Sequence, residues 1–225
     1  MNDRPRKFRR ETPDLRRDTL IEAALRCLGR DGHAGASVRR IAAEAGVSVG
    51  LINHYFPSVD GLIADAYETL ATRIADSMTQ AAERAAGSPR ERLGKLIEAC
   101  FAPDIMDPAL LKVWVVFWGM ILHSPGMRQV QRRINERFCG VFERFLREVA
   151  IAEGRRVDTA LLALGLSAMH DGLWLEFCLD PESFKVEDGM ALCHAWLDAK
   201  LLPPPSHARA GGHPDQPPGS PPSRG

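Results

Sequence analysis

The 225-residue sequence predicts an all-α chain, with an N-terminal three-helix unit that carries a helix-turn-helix and a larger C-terminal helical bundle. Three observations predict it. Apolar residues recur at three- and four-residue steps between Pro and Gly breaks, the period of a helix with one buried face. No segment alternates apolar and polar residues as a half-buried strand does. The stretch Ser37 to Leu62 holds two short amphipathic helices around a glycine turn, the pattern of a DNA-reading motif.

The elements follow in order. Leu20, Ile21, Ala24, Leu25 and Leu28 form the stripe of a first helix over 14–30, closed by Gly32. Val38, Ile41, Ala42 and Ala45 share a face of the second, and Leu51, Ile52, Tyr55 and Phe56 share a face of the third. Gly46 lies where the chain reverses, because a residue without Cβ enters the left-handed region cheaply. Ser37 and Ser48 precede these helices as N-caps. A long helix then runs from Ser58 to about Ala86, with further helices over 89–101, 107–123, 125–152, 157–179 and 186–201. Pro103, Pro108, Pro125, Gly154 and Pro181 punctuate them.

These elements divide the chain into a basic arm (1–12), a helix-turn-helix unit (13–60), a helical body (61–202) and a Pro/Gly/Ser-rich tail (203–225) too poor in apolar residues to order itself. The helix over 157–179 is apolar nearly all round, through Leu161, Leu162, Leu164, Leu166, Met169, Leu173, Leu175 and Leu179. Such a helix must be covered on every side. With the stripe Val186, Met190, Cys193, Leu197 and Leu201 on the next helix, it predicts a seam where two copies pack as a four-helix bundle, hence a homodimer.

A net charge of zero hides an asymmetry. Residues 1–57 hold 11 Lys/Arg against 7 Asp/Glu, whereas 58–202 hold 16 against 21, so only the first part suits a polyanion. The longest apolar run, Val113 to Leu122, is too short to span a bilayer, and no partnership with a membrane is expected. Five scattered cysteines without metal-ligand spacing argue against zinc and against a disulfide framework, and favour a reducing cytoplasm. No nucleophile elbow, P-loop or dinucleotide fingerprint accompanies His123, His170, Asp171 and Glu176, so neither an enzyme nor a cofactor is expected.

With its apolar face inward, the third helix shows Val49, Gly50, Asn53 and His54 outward. Asn53 can bond an adenine edge through two atoms, His54 can donate to a purine or a phosphate, and Gly50 removes bulk at the groove. Ser37, Arg39 and the Tyr55 hydroxyl suit phosphate contacts, which fix register without reading sequence. Two such helices in a symmetric dimer match a near-palindrome of double-stranded DNA, with half-sites about 34–36 Å apart. The arm arginines (Arg4, Arg6, Arg9 and Arg10) either add contacts there or form a solvated tail.

Ile41, Ala42, Ala45, Gly46, Val47, Ser48, Gly50, Tyr55 and Phe56, at this spacing, resemble the DNA-binding half of the TetR family of bacterial transcription regulators. The resemblance implies a repressor that dimerises through its last two helices and is released from DNA by a small molecule. Where that family usually places a phosphate-touching lysine after Tyr-Phe, this chain has Val59.

In the body, Trp114, Phe117 and Trp118 share one helical face, and Asp171, Trp174 and Phe177 another. Aromatic faces around a carboxylate suit a quaternary ammonium ion, although the same spacing also arises from core packing. Lys112, Trp114, Phe117 and Trp118 with His123 and Pro125, then Asp171-Gly172-Leu173-Trp174, resemble the BetI branch of the family. That resemblance implies choline, or a related amine, as effector. Phe101-Ala102-Pro103 and Glu176 depart from the branch pattern, and an unrelated apolar effector is the alternative. A helical protein-interaction module without DNA binding is a more distant one.

Overall fold

The computed structural model describes residues 13–201; the arm, the tail and Leu202 lie outside the described residues. Within them the chain forms nine α-helices and one short 3-10 turn, with no strand. The helices are α1 (Pro13–Asp31), α2 (Val38–Ala45), α3 (Val49–Tyr55), α4 (Val59–Arg84), α5 (Pro89–Cys100), α6 (Pro108–Ile121), α7 (Pro125–Ala152), α8 (Thr159–Leu179) and α9 (Val186–Leu201). The 3-10 turn, Gly32–Gly35, was not anticipated. It brings the backbone at Gly35 so close to α1 that a Cβ there would fall 2.2 Å from the Cys27 carbonyl oxygen, so only glycine fits.

Local chemistry sets the helix ends. Gly46 adopts φ 66° and ψ 32°, and its N–H reaches the Ala42 and Ala43 carbonyls, closing α2. The Ser48 hydroxyl accepts from the Leu51 N–H at 3.3 Å and opens α3, whereas the Ser37 side chain makes no cap bond. Ser88 and Glu91 form a reciprocal capping box on α5. The eighth helix begins at Thr159 rather than 157 because the Asp158 carboxylate takes the Leu161 N–H at 3.0 Å.

Two apolar cores result. The first joins Leu20, Ile21, Ala24 and Cys27 of α1 to Ile41, Ala42, Ile52 and Phe56, with Leu62 and Ala66 of α4. The second fills the body from α4 to α9. The long α4 serves both, since Ile63, Tyr67, Leu70, Ile74 and Met78 face the second core. Surface ion pairs hold α4 in place, Arg17–Asp65 and Arg73–Glu22 from α1, and Arg133–Glu68 and Arg144–Glu83 from α7. Each pair is exposed and contributes about 0.2–1 kcal/mol.

Only one side of α8 is covered within the chain. Leu162, Leu166 and Trp174 are buried, while Leu161, Leu164, Leu175 and Leu179 stand in the open, Leu161 at 63% and Leu179 at 71% exposure. The expected stripe on α9 behaves differently. Cys193, Leu197 and Leu201 are buried in the chain's own core, and the open leucine of α9 is Leu192. Helices α8 and α9 approach closely because a Cβ at Gly165 would come within 2.8 Å of the Trp196 ring.

Candidate nucleic-acid interface and ligand pocket

At the N-terminal unit, Gly50, Asn53 and His54 lie exposed on α3, and Ser48 is exposed at its start. Ile52 and Phe56 turn into the first core with 1% and 2% exposure. Two positions differ from the sequence expectation. Val49 is half-buried and packs against that core, and Leu51, expected inside, is only half-buried and outside the core. A seven-residue helix anchored by Ile52 and Phe56 turns position 49, three residues before Ile52, toward the core and leaves position 51 at its edge. Tyr55 is half-buried, its ring edge-on to His54 at 5.3 Å.

Cations beside this helix have different neighbours. Arg40 pairs with Asp31 at 3.0 Å, and Arg26 and Arg30 share Glu44 at 2.7 and 3.0 Å. Arg39 is exposed, and among the described residues it makes no ion pair. The half-buried Ser37, the N-cap of α2, lies two residues before it. Val59, at the start of α4, is half-buried and packs against both cores, and its short apolar side chain offers no charge to a phosphate. The Ser58 hydroxyl caps Gly61 at 3.1 Å there.

In the body, α6, α7 and α8 converge on a narrow cavity of about 20 Å³, nearly filled by its own side chains, lined by Trp114, Trp118, Gln131, Ile134, Asn135, Phe138, Ser167, His170, Asp171 and Trp174. Four of the six side chains singled out from the sequence meet here. Trp114 contacts Trp174, Trp118 and Phe138 edge-on at 5.9, 6.5 and 6.5 Å. Phe117 and Phe177 do not line the space. The first is fully buried against Tyr67 at 4.5 Å, and the second lies edge-on to Phe184 at 6.2 Å. Helical geometry explains both, since a residue three before or after its neighbour drifts about 60° around the axis. Phe117 thereby turns to α4, and Phe177, two such steps from Asp171, turns away.

Two rings of α8 share one acceptor. The Trp174 indole N–H donates to the Cys100 carbonyl at 3.4 Å, and His170 Nε2 lies 3.2 Å from the same oxygen. Facing a carbonyl, Nε2 must carry the hydrogen. Burial pushes the His170 pKa down to about 4, partly offset by this bond, so the ring is neutral near pH 7. The carbonyl at the end of α5 lacks an intrahelical donor, and these rings satisfy it while fixing the face of α8.

Asp171 differs from every other acid described above. Among the described residues its carboxylate has no hydrogen bond or ion pair, and no lysine or arginine lines the space around it. Burial alone raises its pKa to about 6. A half-buried negative charge beside three indoles, with no counter-charge among the lining residues, is favourably completed by a cation. The polar wall of Gln131, Asn135 and Ser167 was missed from sequence. Gln131 and Asn135 stand at i and i+4 of α7, bonded to each other at 2.7 Å, and read there as an ordinary solvated face.

Comparison with known proteins supports both halves of the chain. Residues 20–66 match the model of bacterial regulatory proteins of the tetR family, and residues 89–202 match that of the BetI-type transcriptional repressor C-terminal domain. The regulator BetI 1 of Chromohalobacter salexigens is 33% identical over 199 residues, covering 86% of this chain and 94% of its own. This chain is a BetI-type member of the TetR family.

As a TetR-family regulator it is a DNA-binding protein and not an enzyme. A transcriptional regulator from Pseudomonas aeruginosa PAO1 shares its fold with a TM-score of 0.77 and 40% identity, covering 88% of this chain and 95% of that one. A regulator from Saccharomonospora viridis, solved in complex with choline, superposes with a TM-score of 0.71 at 23% identity, over 84% and 98%. Members of the family bind operator DNA, dimerise and respond to small molecules. None of the described helices is long and apolar enough to cross a membrane.

Proposed function

We propose that this regulator is a cytoplasmic repressor that grips a near-palindromic operator as a homodimer and is released by choline or a closely related quaternary amine. The observation that carries the ligand assignment is the uncompensated Asp171 carboxylate beside Trp114, Trp118 and Trp174. A quaternary ammonium has no N–H to donate, so it is held by ring faces and by charge, which this site offers together. One desolvated cation–π contact is worth about 2 kcal/mol. Three such contacts total about 6 kcal/mol before ordering costs, and inverting a two-state population takes roughly 5.5 kcal/mol of difference between the two states, so most of them must be made in only one state. The polar wall of Gln131, Asn135 and Ser167 suits the hydroxyl end of choline. A carboxylate there, as in glycine betaine, would meet Asp171 with no cation to offset it. The choline-bound S. viridis regulator supports the reading with a protein of the same fold.

Asn53 and His54 of α3 read base edges, with Gly50 allowing close approach and Ser37, Arg39, Ser48 and Tyr55 fixing the phosphates. Dimerisation uses the open stripe of α8, where Leu161, Leu164, Ala168, Gly172, Leu175 and Leu179 follow one another at steps of three or four. Leucines at both ends and small residues at the centre let two such helices cross closely. The boundaries of the DNA-reading and effector units fall near residue 60, inside α4.

A thermal-shift titration tests the ligand. Choline should raise the melting temperature in a saturable way, and glycine betaine and apolar effectors should not. Stabilisation by an apolar compound with none by choline would instead favour the crevice of Val115, Val116, Gly119 and Met120 between the two cores as the effector site.

A further inference from the structure

We propose that Tyr67 is the positioning residue that converts occupancy of the cation pocket into movement of the DNA-reading unit, an inference that rests on the amine reading above. Tyr67 does not line the pocket. It is fully buried on α4, with its ring 5.2 Å from Trp114 and 4.5 Å from Phe117. Its hydroxyl donates to the Gln131 side-chain oxygen. Gln131 in turn lines the pocket and donates to Asn135, another pocket residue. Both the aromatic wall and the polar wall of the pocket therefore end on this one tyrosine.

Tyr67 also stands where displacement has consequences. Ala66, its neighbour, and Leu62, five residues earlier, belong to the first core that holds α3. Ile63 and Leu70 belong to the second. The helix is continuous across both, so a shift at Tyr67 is carried within about one turn to the packing under the recognition helix. The bistable element is the acceptor. In the empty protein the Gln131 oxygen serves Tyr67, and a hydroxyl-bearing cation against Gln131 competes for that oxygen and for the position of Trp114. A fully buried phenol that loses its acceptor must find another, and the ring must move to do so. Burial and the negative charge of Asp171 hold the Tyr67 hydroxyl above its ordinary pKa, so it acts as a neutral donor throughout.

The experiment measures the affinity of full-length protein for an operator duplex selected from a random pool, with and without saturating choline chloride. The readout is the ratio of the two affinities. Choline binding is followed separately by tryptophan fluorescence. In Tyr67→Phe, choline should still bind while the ratio shrinks by about five- to tenfold, the worth of one lost hydrogen bond. Gln131→Ala, on a half-exposed position that folding tolerates, should weaken choline-free operator binding like Tyr67→Phe, and the double variant should be no worse than either single one. A merely structural tyrosine would lower the melting temperature and leave the ratio and the additivity untouched. Choline binding with a full ratio in Tyr67→Phe overturns the relay alone. A wild-type protein that shows no choline binding overturns the amine reading and the relay with it.

Discussion

The N-terminal unit and the body are built from the same elements and are finished to different degrees. In the first, all the core side chains from α1, α2 and α3 are covered, Ser48 caps α3, and Asp31 and Glu44 are neutralised by arginines. Among the described residues of that unit, Leu15 is the large apolar side chain left exposed, and the face of α3 turned outward is polar. The body leaves a leucine stripe uncovered on α8 and a carboxylate without a counter-charge beneath three indoles. A region that is internally complete works through what it displays. One that is incomplete works through what completes it.

The comparison can be broken at its largest effect first. Leu164→Glu places a charge in the middle of the open α8 stripe, and it should convert the protein to a monomer by sedimentation and abolish operator binding. A Leu164→Glu dimer would show that the stripe is not the seam. Next, Phe56→Ala should cost about 3–5 kcal/mol of stability by urea unfolding, because the unit's core cannot collapse around the void. A loss below about 1 kcal/mol would mean that the first core is not closed as described.

Asp171→Asn should weaken choline binding by tenfold or more while leaving operator affinity unchanged. The unmodified protein should show the same dependence through pH. With the Asp171 pKa raised to about 6, the carboxylate is charged above that value and protonated below it. Choline affinity, followed by calorimetry, should hold between pH 8 and 7 and fall roughly tenfold per unit below 6. An affinity that is flat to pH 5 would remove Asp171 from the site. Smallest is Asn53→Ala, expected to cost about 1–3 kcal/mol of operator discrimination with stability changed by less than about 0.5 kcal/mol. Equal loss on every sequence would make Asn53 a phosphate contact.

The degree to which each region was legible in the sequence follows the same division. Local rules fix the N-terminal unit, with Gly46 at its turn, Ser48 at its cap and Ile52 and Phe56 turned inward, and the structure keeps those features. Even there, a helix of seven residues allowed Val49 and Leu51 to trade roles, because a small rotation about the Ile52 anchor decides both. The helices of the body were legible from their breaks, since proline and glycine act locally. Its pocket was legible only in part. Trp114, Trp118, Asp171 and Trp174 converge, but whether Phe117 or Phe177 joins them depends on which neighbour packs on the adjoining 60° of helix, which periodicity does not encode. The polar wall on α7 stayed hidden for a related reason. Gln131 and Asn135 resemble any solvated pair until Tyr67 and α8 are placed beside them. Part of the α9 stripe expected at a seam, Cys193, Leu197 and Leu201, is buried in the chain's own core, where α9 packs on α5, distant in sequence, and on α8.

The open face of α8 has a consequence for dosage. A solitary chain keeps Leu161, Leu164 and Leu179 in water, so the free energy that hides them depends on how many copies the cell holds. Below the assembly threshold of the proposed dimer, the population able to span two half-sites would fall with the square of the protein made. Halving expression then removes more than half of the silencing, and a promoter that feeds back on its own regulator would be held near that threshold.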